Sequence, residues 1–225
     1  MFKKMLIIGI SALMILTLGA CGNKESFTEG NTDVDPSSEK ITESVSKSPD
    51  DESSESNSEN TYVNSESTVL IAYFSWSGNT KQLAEMIQEQ TGGELFEIEP
   101  ETPYTDDIND LSGISLQEQR DNIRPALSSA APDMSQYDVI FIGYPNWWNN
   151  MPMPVFTFLE EYDFYGKTVI PFTTYGNGVW GKSVDSIRDT LPDATILDGL
   201  AIQEHELQDA PVEVSEWLQE LGFIK

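Results

Sequence analysis

The sequence predicts a doubly wound α/β domain over residues 68–225, and three observations lead there. Short apolar runs alternate with segments of helical periodicity, the pattern of strands and helices taken in turn. Several runs are apolar at every position, as strands of a parallel sheet covered on both faces must be. The segment of about 158 residues is also the size of one compact domain.

Val69 to Phe74 is the first apolar run. Thr80 to Gln90 follows, with Leu83, Ala84, Met86 and Ile87 at helical spacing, and Gly92-Gly93 closes that helix. Glu94 to Glu99 alternates as a strand does. An irregular stretch leads to a helix expected around Ser115 to Leu127, and Asp138 to Gly143 is a second run of buried character. Pro154 to Tyr162 reads as a short helix, Thr168 to Phe172 as a strand and Ser183 to Thr190 as a helix. A strand near Ala194 to Leu200 and a helix from about Val212 to Leu221 complete five strands with helices on both faces.

Ahead of this domain the composition changes twice. Lys3 and Lys4 precede an apolar run from Met5 to Leu18, so residues 1–20 are expected to be a secretory signal peptide. Leu18-Gly19-Ala20-Cys21 resembles a bacterial lipobox, which implies that Cys21 is the lipid-modified first residue of the mature protein. An uncleaved anchor helix is the alternative, although the run is short for a membrane span. Either way the expected location is the cell membrane, on its extracytoplasmic face. Cys21 is the only cysteine, which excludes an intrachain disulfide and leaves no thiol for redox catalysis. Residues 21–67 read as a lipid-anchored, disordered acidic tether. Large apolar residues are almost absent there, and 12 Asp/Glu stand against three lysines, so the segment cannot bury enough surface to order itself.

The whole chain carries a formal charge of −26. A surface this acidic repels nucleic acid and favours basic partners or solubility, so nucleic-acid binding is not expected.

In a doubly wound sheet, ligands bind beyond the carboxyl ends of the strands. Three loops there have unusual composition. The first, Ser75-Trp76-Ser77-Gly78-Asn79-Thr80, opens a helix, where unpaired N–H groups and hydroxyls can hold a phosphate and Gly78 lets the backbone approach closely. It lacks the Gly-Lys-Ser/Thr of a nucleoside-triphosphate loop and the G-x-G-x-x-G of a dinucleotide site. The plain alternative is a helix capped by its own Ser or Asn. The second loop, Gly143 to Pro154, holds Pro145, Asn146, adjacent Trp147 and Trp148, and Asn149. Neighbouring indoles cannot both point into a core, so at least one is free to lie against a flat ligand. The third, Thr173 to Gly181, combines hydroxyls and aromatics with three glycines.

One phosphate and one planar ring are what flavin mononucleotide (FMN) presents. The chain resembles the flavodoxin family, in the branch with S-x-S-G-N-T, G-Y-P-x-W-W and F-x-T-x-G-x-G loops, over nearly all of Thr68 to Lys225, including Arg124-Pro125-Ala126-Leu127. That resemblance implies a five-stranded parallel sheet in the order 2-1-3-4-5 and noncovalently bound FMN. It implies that Ser75, Ser77, Asn79 and Thr80, in the loop that also carries Trp76 and Gly78, bind the phosphate. Pro145, Asn146, Trp147 and Trp148, with Asn149 beside them, would line the isoalloxazine, and Thr174, Tyr175, Gly176 and Asn177 would close its other side or reach its pyrimidine edge. Acidity and aromatic stacking should disfavour added negative charge on the ring and lower its potential.

Two positions depart from the family pattern. A Gly-Thr pair is common in the family where this chain has Asn149-Asn150, and a His often stands where it has Tyr175. Asn tolerates a left-handed backbone, but Tyr175 cannot titrate as a histidine does, so no acid or base is assigned. His205, the only histidine, sits among Gln203, Glu204 and Glu206 and reads as a solvated residue. Asp110 to Ser115 bears a faint likeness to a covalent flavin-attachment sequence, but its acid is misplaced and Ile114 does not fit. No metal-site spacing and no nucleophile elbow occur.

The expected function is electron transfer by a membrane-tethered flavodoxin-like protein, exchanging electrons with a redox partner protein or a small donor or acceptor. The alternatives are an NAD(P)H-dependent flavin or quinone reductase on the same fold, with Pro100 to Gly113 shaping access, and a non-redox surface module without flavin.

Overall fold

A computed structural model describes residues 67–225. The leader, Cys21 and the tether up to residue 66 lie outside the described residues. Among the described residues no helix is long and apolar enough to cross a membrane.

Six parallel strands form one sheet: β1 (Val69–Tyr73), β2 (Glu94–Glu97), β3 (Val139–Pro145), β4 (Thr168–Tyr175), β5 (Thr195–Ile196) and β6 (Leu200–Gln203). Their order is β2-β1-β3-β4-β5, and β6 also pairs with β4. The helices are α1 (Asn79–Thr91), α2 (Ile108–Asp121), α3 (Met153–Glu161), α4 (Ser183–Thr190) and α5 (Ala210–Glu220).

Alternation along each strand divides the core into two layers. Ile71, Phe141 and Phe172 face α1 and α5, where Leu83, Ile87, Val214 and Leu218 cover them. Leu70, Ile140 and Ile142 face the opposite way, under Val155, Phe158 and Ile187 from α3 and α4. Both faces are apolar because both are covered, the reason the strands read as continuous hydrophobic runs.

The structure corrects several boundaries. The expected helix at Ser115 to Leu127 is α2, which starts seven residues earlier and stops six earlier. Asp107 begins it by accepting hydrogen bonds from the N–H groups of Asn109 (2.8 Å) and Asp110 (3.2 Å). Asn122, left-handed at φ 53°, ends it ahead of Pro125, which holds Arg124 away from helical backbone. β3 runs on to Pro145 and β4 to Tyr175, so Tyr144, Pro145, Thr173, Thr174 and Tyr175 are strand residues paired across the sheet.

Within the strand expected at Ala194 to Leu200 only Thr195–Ile196 pairs as β5, and a sixth strand, β6, begins at its last residue and runs beyond it to Gln203. Leu197 N–H donates to Val169 O, so Val169 and, two residues on, Pro171 both turn toward this edge. Pro171 has no N–H to give, and the edge strand bows out across Leu197-Asp198-Gly199 at that point. Gly199 allows the close approach, since a Cβ there would lie 2.2 Å from the Pro171 carbonyl oxygen.

Candidate functional site

The loops after β1, β3 and β4 gather at the carboxyl edge of the sheet, where β1 and β3 are neighbours and the strand order reverses.

Gly78 occupies the N-cap of α1 with φ 90° and offers no capping side chain. The plain alternative of a helix start capped by its own Ser is met in part, through Ser75 rather than the N-cap residue. The Ser75 hydroxyl accepts the N–H of Lys81 (3.2 Å), but among the described residues nothing accepts the N–H groups of Ser77, Gly78, Asn79 or Thr80. Four successive donors at the positive end of a helix dipole form an anion cradle. Lys81 does not supplement it, because its ammonium pairs with Glu97 at 3.0 Å. The Thr80 side chain is buried, with its hydroxyl 2.8 Å from that of Thr174 on β4. That bond couples the first loop to the third. Trp76 leans the other way: its Nε1–H donates to Thr105 O at 3.0 Å, and its ring lines a separate cleft with Phe74 and Tyr104.

Beyond β3 the chain makes a tight reversal at Trp147-Trp148-Asn149-Asn150. Trp147 and Asn150 exchange backbone hydrogen bonds (2.9 and 3.0 Å), and Trp148 and Asn149 between them have φ 51° and 67°. Two positive φ values in a two-residue connection are the signature of a type I′ turn. Asn149 takes that conformation readily, as expected; a bulky Trp rarely does. Trp147 tucks inward, edge-on to Phe74 (5.3 Å) and Tyr104 (5.5 Å). Trp148 stays 48% exposed.

The third loop closes against this turn. Asn146 Nδ2 donates to the carbonyls of Asn177 (3.3 Å) and Val179 (2.8 Å), and Lys182 N–H donates to Asn149 O (2.8 Å). Asn146 Oδ1 is left buried without a partner. Val179, β-branched yet at φ 38°, is held in an unusual backbone state between Gly178 and Gly181. A Cβ on Gly181 would lie 2.2 Å from Asn149 O, so only glycine permits the contact.

The second and third loops wall a cleft of about 430 Å³; no residue of the first loop lines it, and Ser75 and Trp76 line the separate cleft beside Phe74 and Tyr104. Asn146, Trp147, Trp148, Asn149, Gly176 and Asn177 line it, as expected from sequence. Pro145, Thr174 and Tyr175 stand behind the lining, in the strands. The remaining wall is formed by Ile108, Leu111, Ser112 and Ser115 of α2; sequence reasoning had Pro100 to Gly113 shape access only in the reductase alternative and did not expect Ser115 at the cleft. One signal for it existed. Ser112-Gly113-Ile114-Ser115 is a run of weak helix formers, and no neighbour within 4 Å requires Gly113 to lack a Cβ. Trp148 Nε1–H donates to Ser115 Oγ (3.0 Å), and Gln119 Nε2 donates to Trp147 O (2.7 Å), so α2 holds the turn at two points. No charged side chain lines the cleft, although the chain has 38 Asp and Glu. The walls of this cleft are uncharged and partly aromatic.

His205 is exposed, on a short 3-10 turn at Glu204–Glu206. Burial and a hydrogen bond to Glu118 (2.6 Å) push the Tyr104 hydroxyl well above its ordinary value, and burial also raises the Glu118 carboxyl. Neither faces the ring cleft.

The family model described as Flavodoxin matches residues 68–221. A candidate flavoprotein from Bacteroides eggerthii is 34% identical and superposes with a TM-score of 0.59, over 69% of this chain and 98% of its own. A second candidate flavoprotein, from Bacteroides uniformis, is 31% identical with a TM-score of 0.60, over 68% and 98%. A flavoprotein from Lactobacillus acidophilus, solved in complex with FMN, is 30% identical with a TM-score of 0.53, over 64% and 97%. No curated protein matches the chain.

Proposed function

The chain belongs to the flavodoxin family, and from that premise we propose that it binds FMN noncovalently and transfers electrons at the outer face of a cell membrane. The observation that carries this reading is the uncharged, tryptophan-lined cleft at the carboxyl edge of the sheet, with the unpaired N–H groups of Ser77 to Thr80 on the loop after the neighbouring strand β1. The FMN complex of the Lactobacillus acidophilus relative supports the choice of ligand.

In this reading the N–H groups of Ser77, Gly78, Asn79 and Thr80, with the hydroxyls of Ser75 and Ser77, hold the phosphate. Trp147, Trp148, Asn146 and the Gly176-Asn177 backbone, with α2 bracing the tryptophan turn, hold the ring. Bound flavin supplies reversible electron transfer, which no side chain of this protein provides. The protein orients the ring, excludes water from its inner face and leaves the Trp148 rim open to a donor or acceptor. Acidic surroundings favour a carrier over direct use of NAD(P)H, whose phosphates they repel.

The membrane location rests on the Leu18-Gly19-Ala20-Cys21 sequence. Replacing Cys21 by Ala should move the protein from the membrane to the soluble fraction; unchanged partitioning removes the lipid anchor.

The flavin reading is tested by titrating the full chain with FMN and with riboflavin, following visible absorption and fluorescence. Tight FMN binding with quenched emission, and much weaker riboflavin binding, is the expected result. Failure to bind either overturns it.

A further inference from the structure

Resting on that flavin reading, we propose that Ser115 is a positioning residue whose hydroxyl holds the Trp148 indole in the orientation that meets the ring.

Trp148 needs such an anchor. It sits at the tip of a two-residue turn, at φ 51°, with 48% of its surface exposed, so packing does little to select one rotamer. Its Nε1–H can only donate, and it donates to Ser115 Oγ at 3.0 Å. The direction of that bond is settled from the other side. Ser115 is 4% exposed and gives its own proton to the Leu111 carbonyl (2.8 Å), which leaves an oxygen lone pair for the indole. One helical turn further on, Gln119 Nε2 donates to the Trp147 carbonyl (2.7 Å). A single face of α2 thus holds both the backbone of the turn and the ring at its tip.

The identity of residue 115 follows from this role. Ser is a weaker helix former than Ala, and its back-bond to the fourth preceding carbonyl does nothing to favour the helix. Alanine would suit a small buried site in α2 better, except that it has no acceptor for Trp148. An unanchored indole would have to be ordered when the ligand arrives, at an entropic cost that the Ser115 bond removes beforehand.

The test uses the full chain and three variants: Ser115→Ala, Trp148→Phe and the two combined. Alanine favours the helix, so Ser115→Ala folds, and Phe keeps an aromatic face without the N–H. In ligand-free protein, the indole N–H resonance identified by its loss in Trp148→Phe should shift in Ser115→Ala. FMN affinity should fall about three- to ten-fold in Ser115→Ala, the size of one neutral hydrogen bond, and the same substitution should change nothing in the Trp148→Phe background. An unmoved resonance with unchanged affinity overturns the proposal. So does an equal loss of affinity in both backgrounds, which would mean that Ser115 acts on something other than Trp148. A wild-type chain that takes up no FMN overturns the flavin reading instead, while the resonance still decides the Ser115–Trp148 contact.

Discussion

Trp147 and Trp148 are neighbours in sequence with opposite fates, and the backbone decides which does what. Trp147 turns into the T-shaped cluster with Phe74 and Tyr104, whereas Trp148, left-handed and half exposed, lines the cleft from the tip of the turn. Trp148→Ala should weaken FMN binding by about 0.5–1.5 kcal/mol, the worth of one aromatic contact. Trp76→Ala should leave it nearly unchanged, because that indole lines the other cleft. Equal losses in a fluorescence titration would remove the stacking role of Trp148. The aromatic pair was legible in the sequence. Which indole packs inward and which stays exposed was not, because the positive φ at Trp148 belongs to the turn and to its contacts with α2, distant in sequence.

Among the elements, α2 carries two carboxyls displaced in opposite directions. The N–H groups of Asp110 and Asn109 hold the Asp107 carboxyl below its ordinary value, while burial holds that of Glu118 above. Stabilisation by Asp107 is present above its unfolded value, about pH 4, and is lost as pH falls through its lower folded value. Glu118 has the reverse sign: its contribution is present below its unfolded value and lost as pH rises through its raised folded value. Denaturant melts at stepped pH should therefore show that Asp107→Asn blunts the loss of stability below about pH 4, while Glu118→Gln removes a gain on mild acidification. A second element-scale test concerns β3 against β4. A Cβ on Gly143 would lie 2.1 Å from the Phe172 ring, so Gly143→Ala should cost about 1–3 kcal/mol by overpacking, measured in urea. Element types were readable from periodicity except over the first half of α2, read as irregular, and over β6, which lies almost wholly beyond the expected last strand. Their ends were misjudged where one side chain overrides the period: Asp107 and Asn122 at the ends of α2, and Pro171 opposite the break between β5 and β6.

For the whole molecule, net charge and topology act together. A chain with a formal charge of −26 binds a phosphate ligand against its own field. Raising salt from about 10 mM to 150 mM shortens the screening length from about 30 Å to 8 Å. FMN affinity should therefore rise over that range while riboflavin affinity stays flat, in paired titrations. A fall in FMN affinity with salt would mean that cationic side chains, rather than main-chain N–H groups, hold the phosphate. The sheet order places the cradle after β1 beside the loops after β3 and β4, although about 65 and 95 residues of chain separate them.

By itself the sequence determined the class of fold, the parallel arrangement and the two loops that wall the cleft, because each is written in local patterns: period, burial on two faces, and turn residues at the ends of strands. Only the tertiary structure decided that α2 forms a wall of the cleft, that Thr80 joins Thr174, and that Ser115 reaches Trp148. Those are contacts between segments about 30 to 95 residues apart. No local pattern encodes them; they exist because packing the two faces of the sheet brings those segments to one edge.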